Sequence, residues 1–175
     1  MENKLYLLRE IYDSLSYRLS ERALNFHCTD NSFVLGARRV GKTTMAFLEA
    51  IVEGALHDGS KIGLFTDSRA EMGHFVLLSY LCNDLGLEYS KDSYDRTIVL
   101  HNGSTIKITS SNPSHRGERY DYIVADVHDM NEEEYYCLLH LSNGNFKILA
   151  GQHTDFVHNY IQNNHHIIIP FTLGE

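Results

Sequence analysis

Gly36-Ala37-Arg38-Arg39-Val40-Gly41-Lys42-Thr43 is the stretch that decides the fold. It matches the pattern G-x-x-x-x-G-K-[ST] and lies between a short apolar run, Phe33-Val34-Leu35, and a segment from Lys42 to Leu56 that reads as a helix. In a strand, loop and helix setting the pattern has a definite physical meaning. Glycines let backbone N–H groups curl around phosphate oxygens, and the helix N-terminus adds positive potential. The lysine ammonium reaches the β- and γ-phosphates, and the threonine hydroxyl serves Mg2+. Lys42 and Thr43 are therefore the candidate phosphate and metal contacts, with Gly36, Ala37, Arg38, Arg39, Val40 and Gly41 as the cradle. The expected ligands are ATP and Mg2+.

Outward from this loop the chain alternates strands and helices. Leu5, Leu8, Tyr12, Leu15 and Leu19 recur at helical spacing and predict an opening helix over residues 3–25 with one core-facing stripe. Ile62-Gly63-Leu64-Phe65-Thr66 reads as a strand, and Ser68 with Glu71 as the capping box of a helix running to about Leu85. Thr97–Leu100 and Thr105–Thr109 flank Asn102-Gly103, which predicts an antiparallel hairpin. Tyr122-Ile123-Val124-Ala125 is apolar throughout, as a buried parallel strand is, and stops at Asp126. Asn131 and Glu134 are placed to cap the next helix; Phe146–Ala150 is a strand, Thr154–Gln162 a short helix, and Ile167–Ile169 a last strand closed by Pro170. The expected fold is α/β: a P-loop NTPase of the additional-strand (RecA-like) type, with a mostly parallel sheet covered by helices on both faces.

Acidic groups at the ends of neighbouring strands complete such a site. Asp126 is the candidate second holder of the metal and its water shell. The strand ending at Ala150 leads into Gln152, His153 and Thr154, where a third polar tip can meet the γ-phosphate. Eleven histidines invite a zinc reading, but no Cys-x-x-Cys or His-Glu-x-x-His spacing supports one. Glu132-Glu133-Glu134 fits the start of a helix, where acids suit the dipole.

Composition limits the remaining classes. The 175 residues are 43% hydrophobic and 22% charged, which suits one globular domain that buries its core without staples. The three cysteines, Cys28, Cys82 and Cys137, then read as reduced thiols. No apolar run reaches the roughly 18 residues of a membrane span, and the N-terminus lacks a signal-peptide pattern, so no membrane contact and a cytoplasmic location are expected. The net charge of −8 argues against a surface given over wholly to nucleic acid. From Tyr120 onward Lys147 is the only Lys or Arg, so any DNA contact is expected from the first two thirds of the chain.

Beyond the single motif, the order Gly36 to Thr44, then Asn102-Gly103-Ser104-Thr105-Ile106-Lys107-Ile108, then Arg116-Gly117 shortly before Tyr122-Ile123-Val124-Ala125-Asp126, resembles the ATPase domain of the large terminase subunit of tailed bacteriophages. The resemblance covers about Phe33 to Thr154, and Ile167–Phe171 is similar to the strand that closes that core. It implies a viral DNA-packaging motor in which ATP hydrolysis drives double-stranded DNA into a procapsid, with a portal and a homo-oligomeric ring as partners. It places Arg38 as an arginine acting in cis on the γ-phosphate, Thr44 within the nucleotide-binding loop and Gln152 at the coupling motif. The family carries a glutamate directly after the metal-binding aspartate as general base; this chain has Val127 there, with Asp129 or an acid of the Glu132–Glu134 group as the substitute. The family's nuclease domain has no counterpart in these residues, which fits either a fragment or an ATPase part that stands alone.

An ATPase of the packaging type is the leading reading. A nucleotide-binding assembly module with impaired hydrolysis is the alternative that Val127 motivates. A small nucleotide kinase would need an Arg-bearing lid late in the chain, and no arginine follows Tyr120.

Overall fold

Alternating apolar strands and amphipathic helices have one compact solution, a sheet with helices on both faces. A computed structural model describes residues 2–36, 41–67, 69–110, 117–127, 131–150 and 167–171. Its elements in chain order are α1 (Glu2–Ser14), α2 (Glu21–Cys28), β1 (Ser32–Gly36), α3 (Lys42–Leu56), β2 (Lys61–Thr66), α4 (Glu71–Asp84), β3 (Tyr89–Asp92), β4 (Thr97–Leu100), β5 (Thr105–Ser110), β6 (Tyr120–Val127), α5 (Glu132–Leu141), β7 (Ser142–Ala150) and β8 (Ile167–Phe171). The strands form one sheet in the order β3-β4-β5-β2-β6-β7-β1-β8. From β5 to β8 every pairing is parallel, and the β3-β4-β5 end is antiparallel. β7 lies between β1 and β6, which is the additional strand of the expected fold.

Strand alternation sorts the core into two layers. Val34, Leu64, Val124 and Leu149 face a cluster with residues of α1, α2, α3 and α4, while Phe33, Phe65, Ile123, Ala125, Val127 and Ile148 face Tyr135, Leu138 and Leu141 of α5. Asn131 and Glu134 form a reciprocal capping box at the start of α5, as their spacing predicts. At the hairpin, Gly103 has φ +82° and Asn102 donates to the Gly54 carbonyl at 2.9 Å, tying the turn to the last turn of α3.

The opening helix is corrected: residues 3–25 are not one helix but α1 and α2. Ser16 takes a left-handed φ of 55°, the Tyr17 N–H bonds the Tyr12 carbonyl, and Ser20 caps α2 by accepting from the Ala23 N–H. The stripe misled because Leu15 and Leu19 still pack on the core across the break; periodicity registers burial, not continuity. The stretch Tyr89–Asp92 forms β3 without an apolar signal because it is a largely exposed edge strand. Pro170 does not end β8, which runs to Phe171; as the outermost strand, β8 tolerates a residue without an N–H. Ser68 and the expected helix Thr154–Gln162 lie outside the described residues.

A charged network crosses the helical layer. Glu49, in the middle of α3, is fully buried, as are His27 and Lys147. Lys147 lies 2.6 Å from one Glu49 carboxylate oxygen and donates to the His27 carbonyl at 2.9 Å and to the Phe26 carbonyl, near the C-terminus of α2. Tyr122 of β6 donates to Glu49 at 3.0 Å, Lys4 of α1 lies at 3.2 Å, and His27 Nδ1 meets the other oxygen. Burial alone would push the Glu49 carboxyl up, but the His27 hydrogen bond and the charges of Lys147 and Lys4 outweigh it and hold the group below its ordinary range. Burial holds His27 below its ordinary 6.5 despite Glu49, so the imidazole is neutral, donating from Nδ1 and accepting from the Tyr12 hydroxyl at 3.0 Å.

Removing one member of a buried pair strands its partner, at a cost of about 3–5 kcal/mol. Lys147→Met is expected to lower the unfolding free energy in urea by about that much, and unchanged stability would show that the pair carries no coupling. Both shifted groups have depressed pKa values in the folded state, so the unfolded chain binds more protons and stability falls as pH falls. The His27 contribution is complete above its ordinary 6.5 and is lost below it, and that of Glu49 begins to be lost below its ordinary 4.5. His27→Gln is expected to flatten the pH dependence of stability between pH 7 and 5; an unaltered slope contradicts the assignment.

Candidate functional site at the carboxyl rim of the sheet

Gly36 is the last residue of β1, and the chain re-enters the described structure at Gly41. Gly41 has φ +86°, a left-handed conformation that favours glycine, and stands at the N-cap of α3. Nothing lies within 4 Å of where its Cβ would be, so the requirement is conformational rather than steric. No side chain caps α3, and its first turn holds no acid. The first N–H groups of a helix have no intrahelical partner and carry the positive end of its dipole, so this end is suited to receive an anion.

Three side chains follow in the first turn. Lys42 is 9% exposed; burial pulls its pKa down and the nearby Asp126 carboxylate opposes that pull. The Thr43 hydroxyl lies close enough to the Asp126 side chain to act on its carboxyl. Thr44 is half-buried. Thr43 and Asp126, more than eighty positions apart in sequence, are thus brought near each other. Burial raises the Asp126 carboxyl above its ordinary value, and Thr43, His74 and Lys42 only partly compensate. One hydroxyl and one carboxylate are hard oxygen donors of the kind Mg2+ accepts, and Mg2+ takes few protein ligands beside water and phosphate. The pair therefore fits that ion. Among the described residues, no group of three or more His, Cys, Asp or Glu could hold a metal.

Register aligns the remaining rim. Asp126 is opposite Thr66 of β2 on one side and Leu149 of β7 on the other, and Ala150 is opposite Leu35 and Val127. Strand ends from β1, β2, β6 and β7 accordingly share one edge, where open α/β sheets bind ligands. Sequence reasoning missed Thr66, Asp67 and His74. His74, on α4, has its Nδ1 2.7 Å from the Thr66 hydroxyl, and its ring packs edge-on against Phe47 of α3 with centroids 5.4 Å apart. Burial lowers the His74 pKa, while Asp126 and Asp67 act to raise it. The available signal was the ending of β2 in Thr66-Asp67, a polar tip like that of β6.

Ala37, Arg38, Arg39, Val40, Asp129 and Gln152 lie outside the described residues. Val127 is 3% exposed and belongs to the α5-side core. The Glu134 carboxylate accepts from the Asn131 N–H at 3.1 Å and is thereby engaged in capping α5.

No family model matches the chain, and no curated protein matches its sequence. Solved structures do. The large terminase of a thermophilic bacteriophage, in complex with ATP-gamma-S, superposes with a TM-score of 0.69 at 13% identity, over 88% of this chain and 45% of that one. The same terminase in complex with ADP gives 0.66 at 13% identity, over 87% and 45%. The large-terminase ATPase domain of Thermus phage P74-26 gives 0.66 at 16% identity, over 86% of this chain and 72% of that one. The chain spans about half the length of the first of these terminases. Its fold is that of the phage large-terminase ATPase domains.

Proposed function

We propose that this chain is a Mg-ATP-binding ATPase of the large-terminase kind, which drives or assists the packaging of viral double-stranded DNA. The observation that carries the reading is the approach of Thr43, in the first turn of α3, to Asp126, near the end of β6. The loop from Gly36 to Thr44 holds the triphosphate through backbone amides, with the Lys42 ammonium directed to the β- and γ-phosphates. Thr43 and Asp126 hold Mg2+, directly and through its water. When bound, the ion neutralises charge that develops on the phosphate oxygens during transfer to water. Arg38 acts on the γ-phosphate in cis, and Gln152 relays the state of the nucleotide. Partners in this reading are duplex DNA, a portal or procapsid, and further copies of the chain in a ring, in the cytoplasm of a host cell. No described helix is long and apolar enough to cross a membrane.

A second reading, a nucleotide-binding assembly module with impaired hydrolysis, draws on Val127, a buried apolar residue where the resembling family has its general base. ATP turnover measured with and without duplex DNA separates the two: stimulation by DNA supports the motor, and tight binding without turnover supports the module.

The phosphate assignment has its own test. A charge-assisted hydrogen bond contributes about 1.5–3 kcal/mol, so Lys42→Ala is expected to weaken Mg-ATP binding roughly ten- to a hundredfold while the protein stays folded. Calorimetric titration of both proteins measures it. Equal affinity for the wild type and a folded variant would remove the phosphate-loop assignment.

A further inference from the structure

Hydrolysis at this rim needs a group that accepts a hydrogen bond from the attacking water, and the position that would carry it after Asp126 is a buried valine. The sheet register points to another acid. β2 and β6 run parallel with Thr66, the last residue of β2, opposite Asp126, and Asp67 follows immediately beyond that strand end. Its backbone is fixed by the turn into α4, in which the Ala70 N–H bonds the Asp67 carbonyl at 2.8 Å. The preceding Thr66 is held by His74, and His74 by Phe47, one turn beyond Thr43 on α3. Asp67 is exposed, and among the described residues no cation forms an ion pair with its carboxylate. Its charge acts on Asp126 and His74 from the strand end that Thr66 holds opposite Asp126.

We infer that Asp67 is the acid that orients and deprotonates the attacking water, supplied by the neighbouring strand end in place of a carboxylate at position 127. This rests on the proposed ATPase reading. In the step, the water oxygen bonds to the γ-phosphorus as the bond from that phosphorus to the β–γ bridging oxygen breaks. The bonding pair leaves with ADP, the water proton passes to the Asp67 carboxylate, and it is released to solvent after inorganic phosphate departs. His74 and Thr66 are positioning residues that fix the strand end carrying Asp67.

The test uses the full chain and three measurements on wild type, Asp67→Asn, Asp67→Glu and Asp129→Asn. They are affinity for Mg-ATPγS, single-turnover hydrolysis of ATP, and affinity for ADP with aluminium fluoride, which mimics the phosphoryl group in transfer with its in-line water. General-base catalysis contributes about 10²–10⁴-fold, so Asp67→Asn is expected to lower turnover by at least about a hundredfold. ATPγS affinity is expected to stay within about twofold, because water orientation acts in the transition state and not in ground-state binding, and for the same reason the ADP–aluminium fluoride complex is expected to weaken about tenfold or more. Asp67→Glu, which keeps the carboxylate, is expected to retain most of the turnover. Turnover by Asp67→Asn close to that of the wild type overturns the inference. So does an equal loss of ATPγS affinity, which marks a binding role, or loss of turnover in Asp129→Asn alone. A wild type that binds nucleotide without hydrolysing it also overturns the inference while sparing nucleotide binding; a wild type that binds no nucleotide overturns the proposed function itself.

Discussion

The fold around the site depends on one buried carboxylate. Glu49 projects from the middle of α3 into the fully buried interior, where an isolated carboxylate would be untenable. It is retained because Lys147 of β7, Tyr122 of β6, His27 of α2 and Lys4 of α1 all converge on it. Such a network adds little net stability over apolar packing, since desolvation consumes most of the Coulomb gain. What it does impose is position: α3 settles only where every charge finds its partner. Lys147 also occupies carbonyls near the C-terminus of α2, so that helix is held to the sheet by the same ammonium, while α1 joins the network through Lys4.

That constraint reaches the rim through rigid elements. Thr43 lies less than two turns up α3 from Glu49, Asp126 four residues along β6 from Tyr122, and Ala150 three along β7 from Lys147. Each element held by the network at its middle therefore delivers one component of the rim at its end. A helix able to slide on the sheet could not keep Thr43 beside Asp126, because each residue of slip moves a helix by about 1.5 Å along its axis. The two ends of this stretch of α3 thus divide the labour: Glu49 sets where the helix lies, and the first turn carries Thr43 to the rim beside Asp126.

What could be read from sequence follows from how local each signal is. The start of α3 at Lys42, the Asn131 and Glu134 cap and the Asn102-Gly103 turn are short-range chemistry, and these features lie where the residues predict. The parallel strands were legible as apolar runs because both of their faces are buried. The break at Ser16 was not, since Leu15 and Leu19 keep the apolar rhythm across it. Nor was Lys147, which in sequence is one cation in an acidic third of the chain; only strand alternation, between Phe146 and Ile148 on the α5 side, turns it toward Glu49. Thr66, Asp67 and His74 escaped notice because their relation to Asp126 is one of register between strands about sixty residues apart, and register is a property of the assembled sheet.

The same alternation explains why position 127 is apolar. Odd-numbered residues of β6 from Ile123 to Val127 pack on Tyr135, Leu138 and Leu141, a cluster made of hydrophobic residues, whereas Tyr122 and Asp126 turn to the face that carries Lys42, Glu49 and Lys147. A carboxylate introduced at 127 would begin from the α5 face, against a cluster whose described members are hydrophobic, and would bear the desolvation cost that Glu49 avoids only through its cations. An acid just beyond the end of β2 meets no such penalty, since Asp67 is exposed to solvent while its charge still reaches Asp126. The α3 side of the sheet thereby gathers Glu49, Lys147, Tyr122 and Asp126, while position 127 is given over to packing against α5.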